Sequence, residues 1–253
     1  MKIFKRTVSA LATAAIVVCG LLYLPEYIVK GVMIALIALV QLEFGQMVAR
    51  RYPVMTLAGV AAGLLFLVSK FYFYESGLPL IVFALAMFAL FSKCERPVAA
   101  WATTLLGFVY IPMMLQHLVM IPAKFGMMML LYIVAIVKIS DMGGFAFGVA
   151  FGRHKMCPSI SPGKSWEGMA GSIFASCLIS CAFIPLTKFG VPKALAFGVA
   201  AAVVGTLGDL VESRIKRECG VKDSATFMPA GMGGFLDMFD SLVFAPAILY
   251  FFI

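Results

Sequence analysis

Asp209, Glu212, Ser213 and Lys216 recur at i, i+3, i+4 and i+7, the spacing that puts four side chains on one face of one helix. Asp237 and Asp240 repeat the i, i+3 relation just after Gly233-Gly234. Together with Glu218 and Asp223, these make up half of the chain's 12 acidic residues, crowded into residues 209–240. Five of them (Asp209, Glu212, Asp223, Asp237 and Asp240) could face one centre, and Arg214, Lys216, Arg217 and Lys222 share the stretch. Carboxylates bind hard divalent cations, and such a cation together with Lys and Arg binds phosphates. Phosphoryl chemistry is therefore the reading this face supports. A generic cytoplasmic loop of mixed charge would not show the helical spacing.

The elements that hold these residues are apolar helices. The chain is 63% hydrophobic and 13% charged, with a mean hydropathy of +1.04, which excludes an ordinary soluble domain. Apolar stretches at residues 8–24, 27–49, 54–69, 78–92, 98–120, 125–148, 168–186, 194–212 and 235–252 supply about nine spans, each near the length a bilayer requires. The runs do not alternate in polarity, so the fold expected is all-α and polytopic, with no barrel. Ionisable groups at the edges of such helices are costly to keep, and their default reading is functional. With the N-terminus inside, alternating the spans places 14 Lys and Arg on the cytoplasmic face and 5 outside, Lys138 being intramembrane. This predicts an N-in, C-out protein of the cytoplasmic membrane, with residues 153–167 and 213–234 facing the cytoplasm. The net charge of +8 then reflects topology and anionic partners, and no nucleic-acid module is present. Residues 1–24 lack a convincing cleavage site, so a retained first helix is expected. Cys177 and Cys181 are helix neighbours that read as packing.

The chain divides by chemistry into residues 1–125, apolar helices with few intramembrane charges, and residues 126–253, which carry nearly all site-like features within one membrane domain. Glu43 is the exception in the first half, and could either pair with a neighbouring helix or act near substrate. In the second half, Asp141 ends an apolar helix, and a loop from Arg153 closes on Ser161-Pro162-Gly163-Lys164-Ser165. Gly-Lys-Ser suggests a Walker loop, but Pro158 stands where that pattern needs glycine and a membrane helix cannot supply the preceding strand. Hydroxyls, Lys164 and backbone amides at a helix start still make a phosphate site. His154 reads as an exposed loop residue and His117 as a packed or interfacial one.

Together these stretches resemble the phosphatidate cytidylyltransferase family, also called CDP-diacylglycerol synthases. The family signature runs Ser-x-x-Lys-Arg, four residues, Lys-Asp, a short spacer, Pro-Gly-His-Gly-Gly, then Asp-Arg-x-Asp. Ser213, Lys216, Arg217, Lys222, Asp223, Pro229, Gly233, Gly234, Asp237 and Asp240 match it, as Ser140-Asp141 and Ser161 to Gly168 match other characteristic segments. The chain departs at PAGMGG (229–234), where Met232 precedes the paired glycines and the histidine is missing, at Ala225, and at Met238, which replaces an arginine. The resemblance implies transfer of CMP from CTP to phosphatidate, giving CDP-diacylglycerol and pyrophosphate, with one or two Mg²⁺ ions. It further implies Asp209 and Asp237 as principal metal ligands with Asp223 and Asp240 next, and roles for Lys216 and Arg217 in catalysis. Ser213, Lys216, Arg217 and Lys222 would bind triphosphate or phosphatidate, with Ser161 and Lys164 reaching a phosphate from the facing loop. Membrane lipids are the other partners, and glycine-rich helix faces allow a homodimer, which the resemblance favours. A related transferase acting on another lipid phosphate or polyprenol, or a cation or lipid transporter, stays open.

Overall fold

The computed structural model describes Gly20 and residues 23–48, 53–72, 78–91, 96–224 and 234–253. The expected first span at 8–24 lies almost wholly outside the described residues, as do Ala225, Pro229, Met232 and Gly233. In chain order the elements are α1 (Glu26–Val48), α2 (Pro53–Tyr72), α3 (Leu78–Phe91), α4 (Pro97–Phe108), α5 (Met114–Phe125) and α6 (Met127–Phe151). A short hairpin of β1 (Lys155–Cys157) and β2 (Ser161–Ser165) follows, then α7 (Trp166–Ala182), α8 (Ile184–Thr187), α9 (Val191–Glu218), α10 (Phe235–Phe239) and α11 (Ala245–Tyr250).

Helices satisfy their own backbone polar groups, which is what lipid demands. By length and composition, α1, the continuous unit Pro97–Phe125, α6 and α9 can each cross a membrane, and α2 and α3 contain the shorter apolar helices Met55–Ser69 and Leu80–Phe91. The fold is thus all-α and multi-pass, with the hairpin as its one sheet among the described residues. Within Pro97–Phe125, a π-helical turn at Val109–Met113 joins α4 to α5 and contains Pro112, which has no N–H to give to the ladder.

Three expected elements come out differently. Residues 235–252 do not form one span: α10, a 3-10 turn at Asp240–Leu242 and α11 succeed one another, and Pro246, in the first turn of α11, has no N–H to give to the Leu242 carbonyl four residues earlier. The span at 168–186 breaks at Phe183, with Pro185 starting α8. The loop at 153–167 holds an antiparallel hairpin, pairing Lys155 with Ser165 and Cys157 with Ser161. In addition, α9 runs on to Glu218, so Lys216 and Arg217 lie in its last turn, where cations complement the helix dipole.

The core draws on both halves of the chain: Val40, Phe44, Phe108 and Ile111 belong to the same buried cluster as Tyr132, Ile136, Leu236 and Val243. α6 packs most extensively on α7, and α7 on α9. The α6–α7 contact is backbone to backbone, since a Cβ on Gly143 would lie 2.7 Å from the Gly171 carbonyl oxygen and one on Gly168 would lie 2.9 Å from that of Gly144. The Ser165 hydroxyl caps α7 by accepting the Gly168 N–H at 3.1 Å. Glu167 in the first turn accepts the Arg153 and His154 amides at 3.2 Å, and the His154 Nδ1 lies 2.6 Å from its Oε1. The His154 ring, then the amide of Glu167 itself and these two amides, hold the Glu167 carboxyl down at about 2. The hairpin is thereby fastened to the start of α7, and His154 is exposed as expected.

Candidate active site where two helix ends meet

The last turns of α9 and the turn from α10 into the 3-10 segment face each other. Gly208 makes the approach possible: a Cβ there would lie 2.9 Å from the Asp240 carbonyl oxygen. Asp209, Glu212 and Asp240 each offer a carboxylate oxygen, all within 4.8 Å of one another. Glu212 is fully buried, and its Oε1 accepts no hydrogen bond among the described residues. A buried carboxylate oxygen without a donor is costly unless a cation completes it, and three converging carboxylates are the donor set a hard divalent ion takes. This donor set would suit a hard divalent cation.

Two lysines form ion pairs with the cluster. Lys216 Nζ bridges Glu212 Oε2 at 2.6 Å and Asp237 Oδ1 at 2.7 Å. Lys164 reaches from β2 to Asp209 Oδ2 at 2.7 Å and also donates to the Thr206 carbonyl at 2.9 Å. Ser213 donates to Asp209 Oδ1 at 3.2 Å, one helical turn away. The other oxygen of Asp237 accepts the Gly234 N–H at 2.6 Å and the Ser224 N–H at 3.1 Å, so this carboxylate organises a turn as well as a lysine. Desolvated ion pairs of this kind hold their geometry because breaking one strands a buried charge.

The structure brings together Asp209, Asp240, Lys216, Ser213, Lys164 and Asp237, all named from the sequence. It keeps Asp237 with Lys216, outside the trio, and gives its place among the converging carboxylates to Glu212, which the sequence put on the same helix face as Asp209 but not among the implied metal ligands. Arg217 is exposed and donates to the Ile160 and Val221 carbonyls, each at 3.3 Å, tying the hairpin to α9. Lys222 and Asp223 are exposed beyond the helix end, and Ser161 is half-buried in β2. Two further groups enter from outside the motif. Lys138 Nζ donates to the Met238 carbonyl at 2.9 Å and to Ser241 at 3.2 Å, while Ser241 donates to Asp141 at 2.7 Å. Tyr110 projects from the π-helical turn; its ring packs on Phe44 and Phe244, with centroids 5.5 Å away in each case. Its buried hydroxyl has no hydrogen-bond partner among the described residues, and a Cβ on Gly208 would lie 3.5 Å from the Phe244 ring on which Tyr110 packs. A tyrosine in an apolar run carries no sequence mark of such a placement.

The chain is similar in sequence to several curated proteins. Phosphatidate cytidylyltransferase from Haemophilus influenzae is 40% identical over 134 residues, covering 50% of this chain and 46% of that protein. The Staphylococcus aureus (strain COL) protein of the same name is 41% identical over 126 residues, 49% of this chain and 48% of its own. One from Mycobacterium bovis is 46% identical over 108 residues, 41% of this chain and 34% of that relative. The matches thus span about half, or less, of the length of these curated relatives. The model of the Cytidylyltransferase family matches residues 4–253, nearly the whole chain, and the chain belongs to that family.

Proposed function

We propose that this protein transfers CMP from CTP to phosphatidate, releasing pyrophosphate and leaving CDP-diacylglycerol in the membrane. The observation that carries the reading is the carboxylate trio Asp209, Glu212 and Asp240 flanked by Lys164 and Lys216 at the ends of membrane helices. The relatives named phosphatidate cytidylyltransferase support the choice of substrates.

Asp209, Glu212 and Asp240 would hold Mg²⁺, which when bound neutralises phosphate charge and favours departure of pyrophosphate. The chain's own groups do the rest. A phosphate monoester has a second pKa of about 6, so the lipid phosphate is largely dianionic at neutral pH and attacks without a dedicated base. An oxygen of that phosphate bonds to the α-phosphorus of CTP as the bond to the bridging oxygen breaks, and pyrophosphate leaves with the electron pair. Catalysis then rests on positioning and on fixed positive charge. Lys164 and Lys216 each already neutralise a site carboxylate and are placed to exchange it for a phosphate oxygen. Arg217 in the last turn of α9 and Lys222 beyond it, both exposed, meet the triphosphate on entry, with Ser161 and Ser213 as hydroxyl donors. The 14-to-5 distribution of basic residues supports a cytoplasmic site in the cytoplasmic membrane.

The test is pyrophosphate release by the purified protein with CTP, phosphatidate and Mg²⁺. Release that requires all three is expected. Cation flux across vesicles without turnover would overturn the reading in favour of transport, and turnover with polyprenol or another lipid phosphate alone would reassign the acceptor.

A further inference from the structure

Glu43 lies in the C-terminal part of α1, far in sequence from the site, yet its side chain is fully buried against α10. Its Oε2 accepts the Leu236 N–H at 2.9 Å. Leu236 is the second residue of α10, a position whose amide has no partner within its own helix. The N-cap residue ordinarily supplies the acceptor, but here it is Gly234, which has no side chain to do so. Gly234 also clears the way: a Cβ at that position would lie 2.5 Å from Glu43 Oε2 and 2.9 Å from the Ser224 carbonyl carbon. Glu43 is thus an N-cap delivered from the opposite half of the molecule. The same short turn carries Asp237, which receives the Gly234 and Ser224 amides and holds Lys216 against Glu212. The other oxygen of Glu43, Oε1, is buried without a hydrogen bond among the described residues, so the group is held where solvation would not place it.

We propose that Glu43 is a positioning residue of the transferase site: by accepting the Leu236 amide it sets the turn from which Asp237 fixes Lys216 beside the carboxylate trio. Its role in rate rests on the proposed function; its contact with Leu236 does not. The experiment compares Glu43→Gln, Glu43→Ala and Glu43→Leu with the parent in detergent, scoring folded yield by gel filtration, turnover with CTP and phosphatidate, and hydrogen exchange of the peptide containing Leu236. Ala and Leu, which lack an acceptor, should exchange at that peptide at least about tenfold faster. Their kcat should fall by about thirtyfold or more, with KM for CTP changed less than about threefold. Gln keeps an acceptor oxygen and should stay within about fivefold of the parent in both readouts. Unchanged exchange in a folded Ala or Leu protein overturns the proposal, as does a Gln variant as impaired as Leu, which would assign the effect to charge. A loss confined to folded yield, with parental kcat per folded molecule, also overturns it. Should neither Ala nor Leu fold, Gln decides: parental exchange and kcat support the acceptor role and their loss overturns it. If the parent itself shows the exchange pattern but no turnover, the functional reading fails and the Glu43 contact stands.

Discussion

Asp209, Glu212 and Asp240 converge from two elements, and the isosteric amide at any of them removes a charge while keeping the shape. Asp209→Asn and Asp240→Asn should each lower turnover by at least about a hundredfold with folded yield unchanged, because each removes an anionic oxygen from the set that would hold the cation. A Mg²⁺ titration of the purified variants checks this, and near-parental turnover at every concentration would remove the metal role. Lys216 bridges Glu212 and Asp237, so Lys216→Ala strands one fully buried carboxylate. Both stability and apparent substrate binding should suffer, and half-saturation values equal to the parent's in folded protein would make Lys216 a purely structural cation. Met238, where the family signature has arginine, is exposed and engages the site through its carbonyl, which accepts from Lys138. Met238→Arg should therefore retain turnover within about tenfold, measured alongside folded yield, because the side chain leaves that contact untouched.

At the scale of elements, the site depends on how closely α9 approaches the turn carrying Asp240. A Cβ at Gly208 meets the Asp240 carbonyl oxygen at 2.9 Å, and backbone cannot step aside as a side-chain tip can. Gly208→Val should lower turnover by about tenfold or more while leaving helix content unchanged by circular dichroism, since displacement of about 1 Å from productive geometry is costly to rate. Parental turnover in Gly208→Val would show that the two elements separate without consequence. The hairpin is the other positioning part: Lys164 reaches Asp209 from β2, and Arg217 returns the contact to Ile160.

For the whole molecule, the shared core and the Glu43–Leu236 contact join the two halves into one body, so the first half is more than a membrane anchor. The basic asymmetry predicts a cytoplasmic N-terminus and a C-terminus across the membrane. Reporter fusions check it: a C-terminal reporter active only in the cytoplasm would require a different span count or the opposite orientation. The break of 235–252 into α10, a 3-10 turn and α11 makes that span the place where such a count would change.

Sequence by itself determined what local spacing and composition can carry. Long apolar runs imposed helices because lipid leaves no other partner for backbone amides. The i, i+3, i+4, i+7 series put Asp209, Glu212, Ser213 and Lys216 on one face because the helical period is local. The resemblance to the family rested on the same short-range register. Tertiary structure decided which oxygens actually meet. Asp237 and Asp240 look equivalent three residues apart, yet the change from α10 to a 3-10 turn sends one to Lys216 and the other to Asp209 and Glu212. The ion-paired position of Lys164 required the hairpin, whose pairing the proline and glycine pattern marked only as a loop. Glu43 was visible as an intramembrane carboxylate, but its partner is a backbone amide, which no residue type announces. Burial and distance between helices remote in the chain are set by packing of the whole core, and no local pattern encodes them.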